Sequence, residues 1–161
     1  MPKITLENGK TIEISDEKYA ELVPKNNKNW RAEKGETYNC IDSYGVIDFN
    51  YEDNTEKDTY RYNTLNYFRT YEEAEKARER QLAIGIVTRK INELNGDWEE
   101  NWGDRTQKKY SIYYDYEDKR FAWLCHSVEK DVLVLPHFAS PEIANKIFSE
   151  NEKELSIIWE L

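Results

Sequence analysis

Six glycines, four prolines, two cysteines and two histidines are all that a chain of 161 residues holds of the residue types around which many cofactor, metal and nucleophile sites are built. No phosphate-cradling glycine loop, dinucleotide fingerprint, G-x-S-x-G or H-E-x-x-H run occurs. His126 and His137 have no second His, Cys or carboxylate at a metal-ligand spacing, so both are expected in structural or exposed roles, with no metal and no cofactor. Cys40 and Cys125 each lie in a strand-like apolar pattern rather than a CxxC, and both are expected to be buried and reduced. No apolar run approaches the roughly 20 residues that cross a bilayer, and the N-terminus lacks the basic segment and apolar core of a signal peptide. A cytoplasmic protein with no membrane partner is the expectation. Positive charge is also short: 23 Lys and Arg stand against 32 Asp and Glu, a net charge of −9 that repels a phosphate backbone and disfavours direct nucleic-acid binding. Carboxylates are so numerous that no pair stands out as an acid and base, so no catalytic residue is assigned and the chain is not read as an enzyme.

What the sequence does hold is aromatic. At 14% Phe, Trp and Tyr it has material for a packed core, which argues against disorder. The alternating runs Lys3–Leu6 and Thr11–Ile14 flank Asn8-Gly9, a strong hairpin signal, and Ser15 caps a short helix that Pro24 ends. Residues 25 to 36 are polar around Trp30 and make the best linker candidate, read as a surface connection pinned by that ring. Residues 36–42 and 46–51 form a second hairpin around Ser43-Tyr44-Gly45, with Ile47, Phe49 and Tyr51 on one face and Asp48 and Asn50 on a solvated one. Residues 52 to 58 read as a charged loop, and 59 to 68 as holding a short strand. Thr70 and Glu73 form a capping box that starts a helix over 71 to 94, in which Ala74, Ala77, Ile84, Val87, Ile91 and Leu94 share a face before Asn95-Gly96 stops it. A third hairpin pairs 109–115 with 120–125, a strand is expected over 131–135, and Ser140-Pro141 opens a final helical segment that breaks near Asn151.

The fold class is therefore α+β: antiparallel hairpins with a long central helix and a C-terminal helix. The segments 66–76 and 136–146 align at an offset of 70, matching Phe68 with Phe138, Thr70 with Ser140, Glu72 with Glu142, Ala74 with Ala144 and Lys76 with Lys146. Each follows a hairpin, which suggests a duplicated hairpin-strand-helix unit. The organisation expected is an N-terminal ββα element over 1–27 and a main domain over 28–161, with units at about 37–96 and 108–161.

Acidic residues gather in three groups: Glu52, Asp53, Glu56 and Asp58; Asp97, Glu99, Glu100 and Asp104; Asp115, Glu117 and Asp118. If they converge they imitate a row of phosphates and fit a basic groove on a partner, and Tyr113, Tyr114 and Tyr116 add rigid amphipathic contact area. These fourteen residues are the partner-binding candidates. The stretch 58–76, with Trp30 and Gly35-Glu36-Thr37-Tyr38 before it and 109–115 after it, resembles small proteins encoded by phages and prophages of Firmicutes. The likeness covers about residues 28 to 160. It implies a phage setting, and by analogy of setting and charge an anti-CRISPR protein, with a CRISPR effector nuclease as the partner. Two alternatives stand beside this reading. One is a sponge for a nucleotide-type signal, using Arg61, Arg69, Arg78 and Arg80 among the tyrosines. The other is a module that docks on another phage protein. Oligomeric state is open.

Overall fold

Alternating side chains on either side of tight turns give three antiparallel hairpins in the computed structural model, which describes residues 3–5, 11–13, 29–127 and 133–161. Strands β1 (Lys3–Thr5) and β2 (Thr11–Glu13) pair with Ile4 opposite Ile12, so the Asn-Gly signal delivers its hairpin. The helix expected between Ser15 and Pro24 and the first residues of the expected linker lie outside the described residues.

β3 (Thr37–Ile41) pairs with β4 (Ile47–Tyr51), and Gly45 takes φ +77° at the turn, a conformation that L side chains rarely adopt. Residues 52–68 then depart from the sequence reading. The span 52–58 is not one loop, and 59–68 holds no strand beyond the single bridge of Phe68 to Asn39. Helix α1 (Glu56–Asn63) occupies most of the segment, opened by a capping box between Thr55 and Asp58. Thr59, Tyr60 and Tyr62 favour strands intrinsically, but two satisfied orphan N–H groups and a buried aspartate outweigh that weak preference.

Helix α2 (Tyr71–Asn95) starts where the second capping box predicts: Thr70 Oγ1 accepts from Glu73 N–H, and Glu73 accepts from Thr70 N–H. It ends at Gly96, whose φ of +56° suits glycine. Its 25 residues make a rod of about 37 Å. Ala74, Ala83, Val87 and Ile91 are its buried residues. β5 (Lys109–Asp115) and β6 (Arg120–His126) pair over seven residues each. Of the strand expected over 131–135, the first two residues lie outside the described ones and Leu133 to Leu135 are in no strand. The pairing there is instead the bridge of Phe138 to Tyr110. Helices α3 (Pro141–Glu150) and α4 (Glu152–Trp159) follow, divided at Asn151 as the sequence indicates.

The chain is thus α+β, with a long central helix and helices at the C-terminal end. Its main core joins α2, β5, α3 and α4 through Val87, Ile91, Phe138, Ile147 and Leu155. Each of these large side chains, fully buried, contributes about 1.5–3 kcal/mol. A second, smaller cluster holds Ala32, Tyr38 and Cys40 under Trp30 and Tyr67. The two bridges, Asn39–Phe68 and Tyr110–Phe138, occupy corresponding places: in each, a hairpin's first strand pairs with the Phe that precedes a Ser- or Thr-started helix.

Candidate binding surfaces

The first acidic group does not form a surface. Glu52, which follows β4 directly, is fully buried, and Asp58, in the first turn of α1, is nearly so. Arg31 Nε and Nη2 donate to the two oxygens of Glu52 at 2.9 and 3.1 Å, Tyr67 Oη donates at 2.8 Å and Asn54 N at 2.8 Å. The Arg31 bonds, opposed by burial and aided by Tyr67, hold the Glu52 carboxyl below its ordinary range. Burial alone would push Asp58 up. The donors that converge on it, Tyr38 Oη at 2.6 Å, Thr55 Oγ1 at 2.7 Å, Thr55 N at 3.0 Å and Asp53 N at 3.2 Å, override burial and hold it far below. Tyr38, stacked on Tyr67 with centroids 3.8 Å apart, is pushed up to about 12 by burial and by Asp58. Arg61 Nη1 donates to Tyr38 Oη at 2.9 Å and closes the network. Glu52 and Asp58 are therefore structural acids. Their donors explain why: a buried carboxylate persists only where hydrogen bonds replace its water. Asp53 and Glu56, from the same group, are exposed.

The second and third groups do reach solvent. Asp97, Glu99, Glu100 and Asp104 stand on the loop between α2 and β5. That loop is fixed from inside by Lys109, which is fully buried, donates to the carbonyls of Asp104 and Gln107, and lies 4.9 Å from the Trp102 ring centroid. At the far end of β5, Asp115 accepts from the backbone of Glu117 and Asp118, shaping the turn. Tyr114 packs against Tyr116 and Phe121, leaving Tyr113 and Tyr116 exposed. Asp118 pairs with Arg120 at 2.9 Å. The loop with the second group enters one end of β5 and the third group stands at the other, the strand between them being about 20 Å long.

The β3–β4 hairpin reverses the expected assignment of faces. Tyr38 and Cys40 turn inward, and their partners across the pair are Asn50 and Asp48. Asn50 Nδ2 donates to Cys40 Sγ. Phe49 and Tyr51 are consequently on the outside at 62% and 58% exposure, with their rings in edge contact. The strand edges are nonetheless blunted. Asp48 Oδ1 accepts from Phe49 N–H, and the Asn66 side chain bonds both the N–H and C=O of Ile41 as a neighbouring strand would.

The histidines take buried structural positions, and one further expectation is corrected. The histidines come together: His126 Nε2 lies 2.8 Å from Ser111 Oγ, His137 Nδ1 lies 2.8 Å from Glu100 Oε2, and the two rings meet edge to face at 5.5 Å. Folding, rather than sequence spacing, supplies these partners, because Ser111 and His126 share a face of the third hairpin while His137 comes from beyond it. Cys40 is buried as expected, but Cys125 is an exposed thiol. The four arginines are separately engaged: Arg61 with Tyr38, Arg69 over Trp30, Arg78 with Glu75, and Arg80 with the carbonyl of Ile158.

Among the described residues no group of three or more His, Cys, Asp or Glu is placed to hold a metal ion, and no helix is long and apolar enough to cross a membrane. Comparison with protein-family models, with curated proteins and with solved structures finds no match to this chain.

Proposed function

We propose that the protein acts without catalysis, as a phage anti-defence inhibitor that binds a CRISPR effector nuclease through acidic, Tyr-rich surfaces. The observation that carries the reading is the β5–β6 tip, where Asp115 fixes a turn that presents Glu117 and Asp118 beside the exposed rings of Tyr113 and Tyr116. Rigid aromatic anchors at the end of a paired strand reduce the ordering cost of binding, and acidic neighbours favour a basic partner surface. The loop carrying Asp97, Glu99, Glu100 and Asp104, which enters the other end of the strand, supplies a second point of attachment. A two-point contact of this kind replaces the continuous row of phosphate mimics suggested by the sequence, since Glu52 and Asp58 are committed to the interior.

The test is capture of effector nucleases by the tagged protein across a salt series, alongside a variant with Tyr116→Ala, Glu117→Lys and Asp118→Lys. Stoichiometric capture that weakens with salt and falls at least tenfold in the variant is expected. Capture of phage proteins alone would move the assignment to a docking module, and equal capture by the variant would overturn the role of the tip. The variant sites are exposed, so its thermal unfolding should match the parent and serve as the folding control.

A further inference from the structure

We propose that one flank of α2 is a self-association surface whose occupant is the same flank of a second copy of this chain, laid antiparallel about a two-fold axis level with Ile84. The association needs no effector and uses none of the residues of the β5–β6 tip. Helix α2 buries Ala83, Val87 and Ile91, and on a neighbouring flank it displays Leu82 at 59% and Ile86 at 40% exposure. These two side chains stand one turn apart and form a continuous apolar step. The flank as a whole runs Glu79, Leu82, Ile86, Arg89 and Glu93, with spacings of three, four, three and four. That is the seam of two paired helices, with apolar side chains at its centre and charge at either end. Single exposed apolar residues are ordinary, whereas a pair in seam register is the mark of an interface.

The charges choose both the partner and its direction. In the antiparallel arrangement, positions equally far on either side of 84 face each other. Leu82 of each copy then meets Ile86 of the other, and Glu79 of each copy meets Arg89 of the other, so one surface complements itself twice. A parallel arrangement would set Glu79 against Glu79 and Arg89 against Arg89. Both side chains are exposed, and neither has an ion pair or hydrogen bond among the described residues. The next layer out brings Glu75 opposite Glu93, and there each acid already has a cation of its own chain: Arg78 lies 3.7 Å from Glu75, and Lys90 lies 3.7 Å from Glu93. The acids that the two-fold axis would set against each other are thus compensated within the chain, and the complementary pair is left open.

Gly85 fits the same use. Glycine is the poorest helix former after proline, yet here it stands in the middle of a 25-residue helix, beside Ile86. A side chain at that position would come within 3.3 Å of Arg89 Nη1, so the guanidinium lies back toward the centre of the seam. The bare backbone lets a second helix approach at the close end of the usual range, about 8 Å between axes. From Glu79 to Arg89 the seam is about 15 Å long. A contact of that size belongs with the small, transient interfaces, and the dimer is expected to form reversibly with concentration.

Sedimentation equilibrium of the full chain from micromolar to millimolar concentration is the test, and a reversible monomer–dimer equilibrium is expected. Glu79→Arg and Arg89→Glu should each weaken it at least tenfold, because each sets like charges opposite one another in both outer layers. An equimolar mixture of the two variants should recover the dimer as a heterodimer, since every opposed pair is then Arg against Glu. Leu82→Asp should abolish association. All three sites are exposed, so unchanged thermal unfolding serves as the folding control. A monomer throughout the range, association that survives Leu82→Asp, or a mixture no more associated than its two components overturns the proposal.

Discussion

Asparagine at position 58 keeps the outline of the carboxylate and removes its charge, and the cost follows from the donors that converge there. Four donors reach the two oxygens of Asp58: Tyr38 Oη, Thr55 Oγ1, Thr55 N and Asp53 N. An amide offers one oxygen. Its best orientation turns that oxygen to Thr55 and Asp53 and the NH₂ to Tyr38, whose hydroxyl oxygen already accepts from Arg61. The Tyr38 proton then has no acceptor. A lost charge-assisted bond costs about 1.5–3 kcal/mol and a stranded buried donor about 1–3, offset in part because no charge is buried any longer. The expected net loss for Asp58→Asn is about 2–4 kcal/mol, a fall in Tm of roughly 6–12 °C near the middle of that range.

Urea unfolding with an unchanged slope is the assay, extended to Tyr38→Phe and the double variant. Removing the Tyr38 hydroxyl removes the stranded proton, so the double variant should lose at least about 1 kcal/mol less than the sum of the singles. Acid provides an independent readout. The folded-state value of Asp58 is depressed below 3.8, so its contribution is complete above about pH 4 and disappears as pH falls through the folded value. The loss of stability between about pH 4 and 2 should therefore be shallower in Asp58→Asn than in the parent. Stability within about 0.5 kcal/mol of the parent, or strict additivity in the cycle, would refute the account of the network.

Three other substitutions test the helices and the cores. Thr70→Ala removes the hydroxyl that accepts from Glu73 N–H and should cost about 1 kcal/mol, read as a Tm lowered by about 2–4 °C. Phe138 is fully buried and Phe68, its counterpart in the aligned segment, is half-buried. Phe138→Ala should cost about 3–5 kcal/mol in denaturant unfolding and Phe68→Ala clearly less. Equal costs would contradict the packing described for the two clusters.

The elements that announced themselves in the sequence are those whose signal is local. Thr70-x-x-Glu73, Asn95-Gly96, Ser140-Pro141 and the alternation across 109–125 each act within a few residues, and each appears at its expected place. Helix α1 carried the same kind of signal in Thr55-x-x-Asp58, but the β-branched and aromatic residues that follow drew the reading toward a strand. The faces of β3–β4 were not legible. Apolar alternation normally marks the inner face, whereas here Tyr38 and Cys40 hold the interior, Tyr38 through bonds to Asp58 and Arg61 beside the Arg31–Glu52 pair, residues up to 30 positions apart. The same distance hid the burial of Glu52 and Asp58 and the meeting of His126 with His137. Charge grouped along a chain does not reveal which carboxylates a fold will enclose.

Helix α2 links two cores of unequal weight. Its residues from Ala83 to Leu94 belong to the large cluster, whereas the small one, with three buried apolar side chains, sits beyond its first turns and includes none of its residues. A lone hairpin over so small a cluster is marginal in water, and much of its order is borrowed from hydrogen bonds to charged groups. The expected consequence is a graded resistance to opening: amide hydrogen exchange should be faster over β3–β4 than over the elements packed on Phe138 and Ile147, and equal protection would contradict it.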